Sequence, residues 1–533
     1  MNAPNRPTRP REAREETREY IHALSRHHEW VLVCLVLALF FAASPTLFAA
    51  DNTREPEAEI KIDWTRTSRI SKTTPTLQVV VNPLLRRGSS IHDQALQSLR
   101  DLQADYVRYV PWYPYPRLGV AELEPPTHDR TSWDFSLIDP LTVDFLDVTA
   151  GHPVVLNFST IPQWMFKTNN AVDFPGDPDQ ATWNYEQGTV LRDPTLKEVA
   201  DYYARIMSWY TQGGFTDELG HRHDSSHHYK IDYWEILNEP EYEHAITPQT
   251  YTRLYDAIST AIRRVAPQMK FVGMSLATPS KSPEFFEYFL NPSNHQPGIP
   301  LDAISYHFYA VPTSDQNSEI HPYTFFDQAD HFLDTVHYVE SIRQRLSPDT
   351  LTMLNEIGTI RAEDIGPSSP STTKEPLPAS YWNLSAAVYA YLYAQLAGLG
   401  IDVAGESQLV GYPTQFPSVS MIDWSTGRPN ARYCVLKLLR ENFGPGDRLI
   451  ETNLDTPSVY AQAFVTPQGV KKVLLINKRD RAAQVLLSGA TRGRLEVVDQ
   501  NIGPNQAAIT LSSDHLTLSA FVVAVVTLQK LRF

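Results

Sequence analysis

Two short segments place an amide and a glutamate where an apolar run comes to an end. The first is Tyr233-Trp234-Glu235-Ile236-Leu237-Asn238-Glu239-Pro240 and the second Leu351-Thr352-Met353-Leu354-Asn355-Glu356-Ile357-Gly358. A carboxylic acid that protonates a leaving oxygen, set against a carboxylate on the other side of a sugar ring, is the minimum equipment for opening a glycosidic acetal. Glu239 suits the acid and Glu356 the nucleophile. Asn238 stands where it can hydrogen-bond the hydroxyl next to the reacting carbon, a contact that tightens as positive charge develops there. Pro240 cannot donate to a sheet ladder, so a strand should stop at Glu239. Strand tips of that kind are where parallel α/β folds keep their active sites.

The neighbours sort by the same reasoning. Glu235 shares the face of Glu239 by the two-residue period of a strand, but lies deeper and should be paired inside the fold. Glu241 and Glu243 follow Pro240 and are expected to be solvated. In Ile304-Ser305-Tyr306-His307-Phe308-Tyr309, alternation puts Ser305, His307 and Tyr309 on one face, so His307 and Tyr309 can orient a sugar and a carboxylate. Arg108, in Val107-Arg108-Tyr109-Val110, needs a partner if buried, and holding Glu356 ionised would supply one. Asn157 at the end of a third run can bind a hydroxyl, and Glu406 after an eighth can meet a hydroxyl or an amine. Trp112, Tyr113, Tyr115, Trp164 and Phe166 either stack on sugar C–H faces or pack their loops. His221, His223, His227 and His228 sit in a polar loop without helical spacing or cysteine, which reads as a substrate rim or a solvated loop. No metal and no other cofactor is expected.

These residues need elements to hold them. Apolar runs recur at Leu77–Val81, Tyr106–Val110, Val154–Phe158, Tyr233–Asn238, Phe271–Met274, Ala303–Phe308, Thr352–Asn355 and Ile401–Ala404. Amphipathic stretches at Ala95–Leu102, Lys197–Tyr210, Thr252–Val265, Phe332–Leu346 and Leu384–Ala397 alternate with them. Strands alternating with helices imply a parallel sheet. Eight of them predict a (β/α)₈ barrel over residues 75–445, with a doubly wound sheet as the runner-up, disfavoured because no glycine-rich fingerprint follows the first run. Gly366–Ala379 is expected to be a loop after the seventh strand. From 446 onward, short β-rich runs separated by turn residues predict a C-terminal all-β sandwich, joined by 55–74, where Ile60–Ile62 seeks a partner.

The chain has 533 residues and a net charge of −15, which disfavours nucleic acid and anionic lipid as partners. Its two cysteines, Cys34 and Cys434, cannot build a thiolate zinc site, and core burial must hold the fold. An arginine-bearing arm over 1–29 precedes an apolar stretch at 30–50 with a small-residue exit at Ala49-Ala50. This reads as an export signal or as a single-pass anchor, and both place the remainder outside the cytoplasm, in the periplasm or beyond. Oligomeric state is not legible.

Arg108, the Asn238-Glu239-Pro240 triplet, His307 with Tyr309, and Glu356 together resemble glycoside hydrolase clan A. Its acid/base and nucleophile are glutamates on the fourth and seventh barrel strands. Within the clan the chain looks most like family 39, which holds β-xylosidases and α-L-iduronidases. The resemblance implies retention of anomeric configuration through a covalent glycosyl-enzyme, with carboxyl groups about 5–5.5 Å apart. It implies an oligo- or polysaccharide substrate, cleaved by a β-xylosidase-type activity. Relatives often carry a tryptophan at the end of the eighth strand, where this chain has Gly405-Glu406-Ser407-Gln408. A non-catalytic carbohydrate-binding barrel, or a transglycosylase using the same intermediate, are the alternatives.

Overall fold

The computed structural model describes residues 58–529, apart from 170–172, 184, 186–187, 365–375, 414 and 501–507. The arm over 1–29, the apolar stretch over 30–50 and most of the predicted 366–379 loop lie outside the described residues.

Eight parallel strands close into a barrel. In chain order they are Thr74–Val80, Val107–Val110, Val154–Leu156, Tyr233–Glu235, Lys270–Leu276, Ala303–Ala310, Leu351–Thr359 and Val403–Glu406. Each hydrogen-bonds the next, and the eighth returns to the first. Each of the eight contains or overlaps a predicted run. A helix follows every strand: His92–Leu102, Ile138–Val148, Lys197–Thr211, Pro248–Val265, Pro283–Phe289, His321–Leu346, Ala379–Leu399 and Ala431–Asn442. Three of these, at 138–148, 283–289 and 431–442, were not anticipated. Pro283–Phe289 spans only seven residues, too few to show a helical period.

The second unit is one nine-stranded sheet that curls on itself. Ala58–Ile70 pairs antiparallel with Arg448–Leu454 through one stretch and parallel with Ala483–Leu486 through another. This long strand links the two halves of the sheet. The inner face buries Ile60, Val459, Ala463, Val473, Leu475, Val485, Leu516 and Val526 among others, a core separate from that of the barrel. The outer face rests on the helix Ala379–Leu399. That helix is buried continuously from Asn383 to Ala394, which explains its lack of a polar face. Tyr391 packs its ring edge against Tyr460, and Lys478 sits over the Tyr391 ring at 4.6 Å.

Two irregularities at the barrel's C-terminal mouth decide which side chains reach the lumen. Along the seventh strand Leu354 is in register with Tyr306, but Glu356, not Asn355, is in register with His307. The extra residue is a bulge. It lets consecutive residues, Asn355 and Glu356, both turn inward, which strict alternation forbids. Gly405 on the eighth strand accommodates the bulge, because a Cβ there would lie 3.0 Å from Asn355 Cα. On the fifth strand, Met274 and Ser275 take positive φ and the register slips before Leu276. That slip brings the Ser275 hydroxyl into the lumen.

Candidate active site

The fourth strand keeps β geometry only to Glu235. Leu237 and Glu239 then adopt left-handed backbone, φ 63° and 42°. This conformation is costly for side chains larger than glycine, and it swings both Asn238 and Glu239 toward the mouth. Pro240 opens a single helical turn through Glu243, as proline at a first helical position does.

Arg108 organises the floor. It is fully buried, and each of its five N–H donors is spent. Nε donates to Glu235 Oε2 (2.5 Å), Nη1 to Glu356 Oε1 (2.5 Å) and Gln78 Oε1 (2.7 Å), and Nη2 to Asn238 Oδ1 (2.7 Å) and Ser275 Oγ (3.0 Å). Glu235 also accepts from Asn157, Ser305 and Asn355, so it is the paired internal carboxylate that its depth implied.

His307 lies between the two candidate reacting groups. Its Nδ1 is 2.7 Å from Glu239 Oε1, and its Nε2 is 3.1 Å from Ser275 Oγ and 3.6 Å from Glu356 Oε1. One oxygen of Glu239, one ring nitrogen of His307 and one oxygen of Glu356 lie within 4.8 Å of one another. Three such groups are within reach of a common cation on distance alone. Both imidazole nitrogens are already engaged with protein partners, however, and the arrangement reads as two carboxyls bridged by a ring. The phenol of Tyr309 donates to Glu356 Oε2 at 2.6 Å, and Ser407 Oγ lies 2.6 Å from the same phenol oxygen.

The electrostatics separate these groups. Burial pushes the Glu356 carboxyl up, but His307 and Arg108, with the Tyr309 and Arg108 hydrogen bonds, outweigh it and hold Glu356 below the usual carboxylate range. Burial pushes His307 down, but Glu356 and Glu239 overcome it, and the imidazolium is favoured. Burial and the adjacent Glu356 keep the Tyr309 phenol protonated, so it remains a donor.

A cavity of about 420 Å³ opens above these groups, lined by Asn238, Glu239, Tyr309 and Glu356 on one side. Its opposite wall is aromatic. Trp112 meets Trp183 edge to face at 5.3 Å and lies parallel to Phe416 at 6.3 Å. Tyr242, 74% exposed, stands at the rim beside Glu239.

Several expected substrate contacts lie elsewhere. Arg108 and His307 are sealed beneath the cavity and act on the carboxylates. Asn157 is buried, donating to Glu235 and to the Leu237 carbonyl, so it braces the fourth strand's end. Trp164 donates to the Glu122 carbonyl and packs under Arg192 at 4.3 Å, behind the cavity wall. Glu406 is fully buried against Arg432 at 2.8 Å, and burial lifts its pKa to about 7 despite that partner. The cavity residue in its neighbourhood is Gln408. Glu241 and Glu243 are not free in solvent. Glu241 Oε1 accepts from the Thr278 amide at 2.8 Å, and Glu243 Oε1 accepts from Trp112 Nε1 (2.7 Å) and Asn238 Nδ2 (2.9 Å). The helical turn explains this, and proline after Glu239 was a usable signal for it. Trp183, Phe416 and Ser275 carried no such signal, because loop packing and a register slip bring them in. The histidine loop forms a hairpin, Gly214–Thr216 with Arg222–Asp224, that packs on the helix Lys197–Thr211. His223 pairs with Asp217 and His227 with Asp139, and none of these histidines lines the cavity.

The model of glycosyl hydrolases family 39 matches residues 221–364, a segment that holds Asn238, Glu239, His307, Tyr309 and Glu356. No curated protein matches the chain by sequence. Among solved structures, a GH51 arabinofuranosidase from Xanthomonas axonopodis pv. citri aligns with TM-score 0.60 at 12% identity, covering 89% of this chain and 100% of its own. An α-L-arabinofuranosidase from Thermotoga maritima aligns with TM-score 0.58 at 13% identity, covering 89% and 100%. CelM2, a bifunctional glucanase-xylanase from a metagenome library, aligns with TM-score 0.56 at 14% identity, covering 89% and 99%. At such identities the likeness is one of fold. With the family match it marks the chain as a glycoside hydrolase of clan A architecture, similar to family 39.

Proposed function

We propose that the protein is a retaining glycoside hydrolase that cleaves an O-glycosidic bond of an oligo- or polysaccharide, with a β-xylosidase-type activity. Glu239 donates a proton to the leaving oxygen while a Glu356 oxygen attacks the anomeric carbon. The aglycone departs as an alcohol and a glycosyl ester remains on Glu356. Glu239, now a carboxylate, takes a proton from water, whose oxygen attacks the same carbon and releases Glu356. Tyr309 and Arg108 hold the nucleophile ionised and oriented, and His307 sets the distance between the two carboxyls.

One observation supports this reading above the others: oxygens of Glu239 and Glu356 lie within 4.8 Å of each other. Inverting enzymes need about 6.5–9.5 Å to admit a water between their carboxyls, whereas retaining ones hold them at about 5–5.5 Å. On this reading residues 75–445 are the catalytic unit and 446–533 with 55–74 an accessory one. The leader at 30–50 exports the chain, or anchors it with the catalytic unit outside the cytoplasm. Proton NMR of the first-formed product from an aryl glycoside tests the stereochemistry. The substrate's own anomer should appear first and mutarotate afterwards. Prompt formation of the opposite anomer contradicts the double displacement.

A further inference from the structure

Three amide side chains line the cavity, those of Gln78, Asn238 and Gln408, and they differ in what they still have to offer. The carbonyl oxygens of Gln78 and Asn238 are both committed to Arg108, at 2.7 Å each. Gln408 keeps its own. Its Nε2 reaches the Gln415 carbonyl at a long 3.4 Å, and among the described residues nothing donates to Oε1. The residue is only 3% exposed, so this acceptor is offered to the cavity and to little else. A buried carbonyl oxygen needs a partner, and at a cavity wall the partner is whatever fills the cavity.

Gln408 is also held still. Its backbone N–H donates to the Val419 carbonyl at 2.9 Å, and its own carbonyl accepts from the Met421 amide at 3.1 Å. One residue earlier, Arg432 donates to the Ser407 carbonyl. A residue fixed in this way loses little freedom when a ligand binds. Its place also says which part of a substrate it meets. Ser407 Oγ lies 2.6 Å from the Tyr309 phenol oxygen, which is itself 2.6 Å from Glu356 Oε2. Gln408 therefore belongs to the flank of the cavity that holds Glu356, and in a double displacement the group retained there is the glycone.

We infer that Gln408 is a specificity-determining residue: its Oε1 accepts a hydrogen bond from a glycone hydroxyl other than the one beside the reacting carbon, and so selects glycones that carry a hydroxyl at that position. The hydroxyl beside the reacting carbon is left to Asn238, because Gln408 reaches Glu356 only through Ser407 and Tyr309. The inference rests on the glycosidase reading above and names a substrate requirement for it.

The test pairs a change in the enzyme with a change in the substrate. The aryl glycoside that the wild type turns over fastest, among β-pentosides and β-hexosides, is compared with its monodeoxy analogues on the wild type and on Gln408→Met. Methionine keeps the length of the side chain without its amide. At one position away from the reacting carbon, loss of the hydroxyl should lower kcat/KM of the wild type roughly tenfold more than that of Gln408→Met, which has no contact left to lose. A variant that is merely loosened loses rate on parent and analogue alike, so its ratio stays that of the wild type. Equal ratios at every position overturn the inference, and so does coupling confined to the hydroxyl beside the reacting carbon. A second arm needs no variant: fluorine in place of the same hydroxyl accepts a hydrogen bond but cannot donate one. The wild type should show a raised KM for that fluoro analogue as for the deoxy one, and a KM equal to the parent's overturns the inference. Turnover without coupling leaves the hydrolase reading standing. If no glycoside is turned over, that reading fails, and the cycle is read from calorimetric binding of the free sugars and their monodeoxy analogues. Coupling there keeps Gln408 as the hydroxyl reader, and its absence overturns the inference as well.

Discussion

Glu356 owes its state to three neighbours, and removing one of them has a calculable sign. Tyr309 donates to Oε2 while Arg108 donates to Oε1. Together with His307 they hold the carboxyl below the usual range, so the proposed nucleophile stays ionised to low pH. Tyr309→Phe removes one hydrogen bond to a charged group, worth about 1.5–3 kcal/mol, so kcat/KM should fall roughly tenfold to a hundredfold. It should also move the acidic limb of the pH profile upward, because Glu356 then protonates more readily. An unmoved acidic limb would mean that the phenol does not stabilise the ionised carboxylate. Linkage has matching signs. The depressed Glu356 stabilises the fold above the ordinary carboxylate pKa, and this is lost as pH falls through its folded value. The raised His307 stabilises below the ordinary imidazole pKa, and this is lost as pH rises through its folded value. Glu239→Gln removes the proposed proton donor, so rates on poor leaving groups should fall by about 10²–10⁴. Aryl glycosides with acidic phenols should suffer less in the first step, because their leaving group needs no proton. Equal losses on both substrates would count against Glu239 as the acid.

At the scale of elements, the site depends on the bulge in the seventh strand and on the residues packed around it. Gly358 sits beside Tyr309 such that a Cβ would lie 3.1 Å from the ring. Gly358→Ala should displace Tyr309 and lower kcat. In a Tyr309→Phe background the same change should cost less, since it acts through the group already removed. Strict additivity in that cycle would refute the coupling. The eighth strand has its own support, because Arg432 pairs with Glu406 and donates to the Ser407 carbonyl just before Gln408 of the cavity. Arg432→Met leaves a buried carboxylate alone and should destabilise by about 3–5 kcal/mol, read as a lowered melting temperature. The eight barrel strands were legible because their apolar runs stand between turn residues. Glu235 was legible as a buried, paired carboxylate because alternation puts it one layer below Glu239. What alternation misses is local departure from it. The positive φ at Leu237, the extra residue at Asn355 and the slip at Ser275 bring inward residues that period two would hold elsewhere. Glu406 illustrates the opposite error, because an acidic residue at a strand end was read as facing substrate when its partner, Arg432, lies 26 residues later on the last barrel helix.

At the scale of the whole molecule, barrel and sheet share a helix. Ala379–Leu399 is buried toward both, so a chain ending at Pro445 would expose its outer side. Such a truncation should give aggregated protein without a cooperative melt, whereas soluble, active protein would show that the barrel stands alone. The single described cysteine, Cys434, is buried and its thiol is pushed up to about 12. Its peptide should resist alkylation until the chain is unfolded. Both results concern the scaffold, whereas the proposed chemistry requires Glu356 to carry the sugar through the reaction. The direct measurement is to incubate the intact protein with an activated 2-deoxy-2-fluoro glycoside of whichever glycone it hydrolyses, digest it, and locate the adduct by mass spectrometry. One fluoroglycosyl ester is expected on the peptide containing Glu356, formed as activity is lost and absent from Glu356→Gln. Modification of a different carboxylate, or turnover that continues with no adduct, would contradict it.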